Sequence, residues 1–96
     1  MPDNLRDEEI RLKNYMEDVV VDVYNGFAGQ HPEICRCRQC RLDTIALALT
    51  RLRGLYAATA EGEILTRVNC EDRQIRADAL VAVIEASRTV GERPKH

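Results

Sequence analysis

Tryptophan is absent from this 96-residue sequence, and with one phenylalanine and three tyrosines the aromatic share is only 4%. A core without large rings has to be assembled from aliphatic side chains and alanines, which suits helices that approach closely. No stretch comes near the ~18 apolar residues a membrane span requires, and the opening Met1-Pro2-Asp3 starts no apolar leader. A cytoplasmic protein is therefore expected. An excess of positive charge is missing as well: 14 basic residues stand against 16 acidic ones, a formal net charge of −2. That disfavours a DNA binder driven by a general basic field, while leaving local basic patches open. P-loop, dinucleotide fingerprint and serine elbow are all lacking, and neither histidine, His31 or His96, forms a recognisable catalytic pair. No enzymatic activity is expected.

What the sequence does contain is helical periodicity. Leu12, Tyr15, Met16, Val19, Val20, Val23, Tyr24 and Phe27 recur three and four apart, predicting a helix within Ile10 to Gly29 despite the strand preference of its valines. Asn14 and Glu17 have the spacing of a capping pair, so the helix is expected to start there, with Leu5 to Lys13 as a shorter helix or arm before it. Gly26, Gly29 and Pro32 are read as its close. Leu42, Ile45, Ala46, Leu49 and Leu52 mark a second helix from about Arg38 or Arg41 to Leu52, stopped by Gly54. The linker Leu55 to Asn69 is the least regular part, with a weak strand or turn expected at Ile64 to Val68. Ile75, Ala79, Leu80, Val83, Ile84 and Val90 mark a third helix, capped by Asn69 with Asp72 and ended by Gly91.

These elements predict one all-α domain over residues 1–96, a small helical bundle with flexible ends at 1–9 and 92–96. A chain this short buries only roughly 60 to 65% of the surface exposed on unfolding. Help from a metal or from a second copy in a homodimer is therefore expected.

Four cysteines without a secretion leader point to metal or redox chemistry more than to a disulfide framework. Cys35-x-Cys37-x-x-Cys40 places three soft ligands at the entry to the second helix, and the Cys37/Cys40 spacing is common in zinc sites. A structural zinc needs a fourth ligand. Cys70, at the start of the third helix, is the first candidate; His31, Asp43 and His96 come after it. The neighbouring Arg36, Arg38 and Arg41, together with the helix N-terminus, are expected to lower the thiol pKa values. The alternatives are reduced, unligated cysteines or a redox pair. The latter ranks low because no strand precedes the motif.

The run Asn14-Tyr15-Met16-Glu17-Asp18-Val19-Val20, and then Cys35 to Asp43 in the pattern C-x-C-x-x-C-x-x-D followed by Thr44-Ile45-Ala46-Leu47-Ala48-Leu49, resembles the late competence development protein ComFB family. The likeness continues through Leu52, Tyr56, Thr59 and Gly62-Glu63 to Arg93-Pro94-Lys95-His96. Thr50, where the family usually has asparagine, and Arg53-Gly54, where it usually has two prolines, depart from the pattern. The resemblance implies a bacterial, non-catalytic helical homodimer, with zinc at the cysteines in some members. It also implies a receptor for cyclic di-GMP, in some cases cyclic di-AMP, that influences competence and motility through an unnamed downstream protein.

A cyclic dinucleotide presents two phosphates and two purines, so its receptor needs arginines for charge and for purine edges, and a carboxylate for guanine donors. Arg38, Arg41, Asp43, Arg51 and Arg53 are the candidates, although they cannot all share one helix face. A twofold dimer would bring two copies of a subset together. The plainer reading makes the arginines a solvated face and Asp43 a carboxylate favouring the helix dipole. Tyr56 could stack on a base, or simply be a half-buried tyrosine at a helix end. A zinc-stabilised adaptor that binds protein and no nucleotide is the alternative function.

Overall fold

The computed structural model describes residues 13–57 and 72–94. Within them α1 (Met16–Gln30), α2 (Arg38–Leu49) and α3 (Arg73–Glu92) each pack against the other two, and α3 has the most extensive contacts. A two-residue antiparallel pairing joins β1 (Lys13–Asn14) to β2 (Tyr56–Ala57), with Lys13 opposite Ala57 and Asn14 opposite Tyr56. No helix among the described residues is long and apolar enough to cross a membrane.

The first helix starts later than its capping pattern suggests. Asn14 lies in β1, and its Oδ1 accepts the N–H groups of Met16 at 3.1 Å and Leu55 at 2.9 Å. The Tyr15 N–H donates to the Leu55 carbonyl at 2.6 Å. Asn14 therefore ties the start of α1 to the segment after α2, and the expected box with Glu17 gives way to this long-range contact. The helix ends at Gln30, one residue past Gly29 and just before Pro32, close to the expected close, while Gly26 is interior; a Cβ at either glycine would meet nothing within 4 Å, so both sit on its open side.

The second helix stops at Leu49 rather than Leu52: beyond it the backbone tightens to i→i−3 bonds, Arg51 N–H to the Ala48 carbonyl at 3.1 Å and Leu52 N–H to the Leu49 carbonyl at 3.3 Å, and the Thr50 hydroxyl donates to the Leu47 carbonyl at 2.6 Å. In α3 the cap is Asp72, whose Oδ1 accepts from Gln74 at 2.7 Å and Ile75 at 3.2 Å. The expected partner Asn69 lies outside the described residues. The third helix runs through Gly91 to Glu92, so the tail expected to be loose from residue 92 begins in helix; residues 95–96 lie outside the described part. So do the arm from Leu5 to Leu12, the flexible end 1–9 and the segment Ile64 to Val68.

Small side chains set how closely the helices approach. On α3 Ala79, Ala82, Val83 and Ala86, at positions i, i+3, i+4 and i+7, share one face and are all buried. They meet Met16, Val19, Val20, Tyr24 and Ala28 of α1 and Ala48 of α2 in one cluster. Val20 and Val83 are sealed from water, each worth roughly 1.5–3 kcal/mol of transfer free energy. Around that seam Asp22 pairs with Arg76, and the Arg51 guanidinium lies 3.3 Å from Glu85. Exposed pairs of this kind contribute ~0–1 kcal/mol.

Candidate functional site

The connection from α1 to α2 is built to hold three sulfurs together. A turn closed by the Ile34 N–H on the His31 carbonyl at 3.2 Å reverses the chain, and half-buried Ile34 packs on the core. Cys35 and Cys37 follow, both exposed, with Arg36 between them. The Arg36 guanidinium reaches back to donate to the Ala28 carbonyl at 3.3 Å, supplying the cation that the last turn of α1 lacks. Cys37 is extended (φ −64°, ψ 163°) and caps α2: its Sγ accepts the Cys40 N–H at 3.4 Å, where a serine or aspartate oxygen more often sits. Cys40, one turn in, is 3% exposed.

The ligand atoms of Cys35, Cys37 and Cys40 lie within 4.8 Å of one another. Burial pushes the Cys40 thiol up to about 12, reinforced by hydrogen bonds and charge from Cys35 and Cys37. The expected lowering by adjacent arginines and the helix end is thus outweighed at this position: those arginines are exposed, while Cys40 points inward. Three sulfurs so placed cannot all be thiolates without a compensating cation, and a soft divalent ion at their centre would resolve the repulsion. The donor set fits such an ion.

Of the fourth-ligand candidates, Cys70 and His96 lie outside the described residues. His31 faces away: its Nδ1 is 3.0 Å from Glu33 Oε2 and its ring stacks on Phe27 at 4.4 Å between centroids. Its own backbone N–H and His31 hold the Glu33 carboxyl below the usual range. Asp43 accepts from Gln39 Nε2 at 2.9 Å and is not in the cluster.

The five residues proposed for nucleotide contact fall into three places. Arg38 and Arg41 are exposed on the first turn of α2, three residues apart and beside the cysteines. Arg51 and Arg53 lie beyond the other end of α2, lining a recess of about 330 Å³ with Asp78 and Glu85 of α3. The helix alone separates the two pairs by about 16 Å. Asp43 lines a third hollow, about 550 Å³, with Thr50, Thr89 and Arg93. A further cavity of about 320 Å³ runs from Cys35 and Cys40 to Ser87, Val90 and Pro94 near the end of α3.

Two contributors were not singled out from the sequence. Arg36 was counted only as a charge, yet it caps α1. Tyr24 was counted only as a member of an apolar face, and its hydroxyl is buried without a hydrogen-bond partner among the described residues. A tyrosine on a buried face is itself a signal, because its polar end needs a partner.

Comparison with known proteins locates this arrangement. The family model for late competence development protein ComFB matches residues 13–94. The solved structure of the late competence protein ComFB from Bacillus subtilis superimposes with a TM-score of 0.73 at 26% identity, covering 88% of this chain and 96% of that one. No curated protein matches the sequence significantly.

Proposed function

The chain belongs to the late competence development protein ComFB family, and on that premise we propose that it is a non-catalytic regulatory receptor. It binds a cyclic dinucleotide, cyclic di-GMP in preference to cyclic di-AMP, as a zinc-stabilised cytoplasmic homodimer, and signals through a protein partner. The observation that carries this reading is the family match over nearly every described residue, centred on the cysteine motif and the helix it opens. Charge placement supports it. The recess holding Arg51, Arg53, Asp78 and Glu85 supplies both the guanidinium and the carboxylate that recognition of guanine uses. Arg38 and Arg41 stand at the opposite end of α2 from that recess, and a second copy would be one way to bring both pairs to a twofold ligand.

Calorimetric titration of the reduced, zinc-replete protein with cyclic di-GMP, cyclic di-AMP, GTP and ATP tests this directly. Saturable binding of a cyclic dinucleotide, with GTP and ATP silent, is the expected result. No heat from either cyclic dinucleotide leaves the second reading, a zinc-stabilised adaptor that binds protein alone. That reading draws on the exposed Val21, Leu42, Leu80 and Val81, apolar side chains distributed over all three helices.

A further inference from the structure

We infer that Cys37 and Cys40 are an oxidation site, a thiol pair that a hydroperoxide converts to a disulfide, with Cys35 left out of the bond. The three sulfurs lie within 4.8 Å of one another, whereas a disulfide joins its sulfurs at ~2.05 Å, so side-chain rotation has to close less than about 3 Å. Position on the fold selects the pair. Cys37 caps α2, Cys40 lies one turn in, and the Cys37 Sγ already accepts the Cys40 N–H at 3.4 Å. A two-residue spacing across a helix entry is an arrangement in which dithiols convert to disulfides. Bridging Cys35 to Cys37 would instead close a loop over the single residue Arg36, whose guanidinium is held by the Ala28 carbonyl at 3.3 Å. Ile34, packed on the core, anchors the chain just before Cys35. The lack of a strand before the motif argues against a dedicated thiol oxidoreductase, but a thiol pair needs no strand to be oxidised.

Exposure assigns the two roles. Cys37 is exposed and meets the oxidant first, while Cys40 is 3% exposed and is reached from within the cluster. The Cys37 sulfur, as its thiolate, attacks one oxygen of hydrogen peroxide. The O–O bond breaks, hydroxide leaves and takes up the proton that Cys37 gave up, and Cys37 becomes a sulfenic acid. The Cys40 sulfur then attacks the Cys37 sulfur: the S–S bond forms, the S–O bond breaks, and the departing hydroxide takes the Cys40 proton as a second water. Two thiols have lost two electrons and two hydrogens, and the peroxide has been reduced to two waters. The regulatory consequence rests on the metal reading of the cluster. The bond takes away two of its three sulfur ligands, and only a thiolate ligates, so the disulfide and a soft ion exclude one another.

Trypsin cuts after Lys13, Arg36, Arg38, Arg41, Arg67 and Arg73, which puts Cys35, Cys37, Cys40 and Cys70 on four different peptides, so mass spectrometry names the bridged pair directly. Reduced wild-type protein, with and without zinc, is treated with one equivalent of hydrogen peroxide, its remaining thiols are alkylated, and the peptides are mapped. Without zinc, the loss of two thiols per oxidised chain is expected, with the Cys37 and Cys40 peptides joined and Cys35 alkylated. Cys35→Ser is expected to keep that bond, and Cys40→Ser to stop at a sulfenic acid on Cys37 that dimedone traps. A principal bond through Cys35 or Cys70, or all thiols still alkylated, overturns the pairing whatever the variants do. With zinc bound, the loss of one zinc to a chromophoric chelator is expected for each bond formed. Zinc that stays bound while the Cys37–Cys40 bond forms overturns the mutual exclusion. Protein that takes up no zinc overturns the metal reading and the regulatory consequence with it, while the mapped bond still decides the pairing.

Discussion

Along the seam where α1 and α3 meet, Val19, Val20, Ala79, Ala82, Val83 and Ala86 exclude water with no polar group among them. At the corner that leads from α1 into α2, the same chain gathers three thiols and Arg36. The seam is satisfied by shape alone. The corner contains a thiol pushed up by burial and by its sulfur neighbours, which an ion would relieve. Stability at the seam rests on packing alone, and at the corner it would rest also on whatever the three sulfurs hold.

The sharpest way to break this comparison is to remove the ion. If zinc completes the corner, chelation or Cys37→Ser should remove about 4 kcal/mol or more, the linkage expected at a thousandfold excess over the dissociation constant. For a domain of this size that is a fall in melting temperature of about 15 °C or more. Unchanged melting, with no zinc by elemental analysis, would end the metal's structural role. Next in size is the seam. Val83→Ala should cost about 2 kcal/mol in chemical denaturation, equally with and without chelator, because distant sites add. A cost that changes with chelator would show that the two regions are coupled.

Asn14→Ala should remove about 1–2 kcal/mol, since one oxygen serves two N–H donors and one of them belongs to Leu55. Arg51→Ala and Arg41→Ala should move stability by less than ~0.5 kcal/mol, as exposed charges do. Both should weaken cyclic di-GMP binding in calorimetry. Wild-type affinity in both variants would place the nucleotide elsewhere.

The helices were legible in the sequence because apolar residues recur at helical spacing, as Val20 and Tyr24 do on α1 and Ala79 and Val83 on α3, but on α2 the marked face was not the buried one: Leu42 and Ala46 are exposed, while Cys40, Thr44 and Ala48 turn inward. The thiol cluster was equally plain, since its three residues are close along the chain as well as in space. What the pattern hid was non-local. Nothing near Asn14 announces Leu55, and a two-residue ladder has too little sequence to carry a strand signature. Gly26, Gly29 and Gly91 read as stops because glycine is a poor helix former; Gly29 and Gly91 each precede the last helical residue by one, while Gly26 lies inside α1 on an open face where the helix continues. Cys37 went unnoticed as a cap because sulfur is an uncommon substitute for oxygen there. Arg38 and Arg41 lie on the first turn of α2, and Arg51 and Arg53 beyond its other end. Their division between the two ends of α2 depended on where that helix stopped and on which side α3 lay.

Arg36 gives the corner a mechanical meaning. It stands between two of the sulfurs in sequence, while its guanidinium holds the Ala28 carbonyl at the end of α1. Any rearrangement that turns Cys35 and Cys37 toward a new centre pulls on the same two-residue span and so on that grip. The last turn of α1 thereby becomes a gauge of the state of the cluster, and amide hydrogen exchange at Gln30 and His31 would read it from a distance.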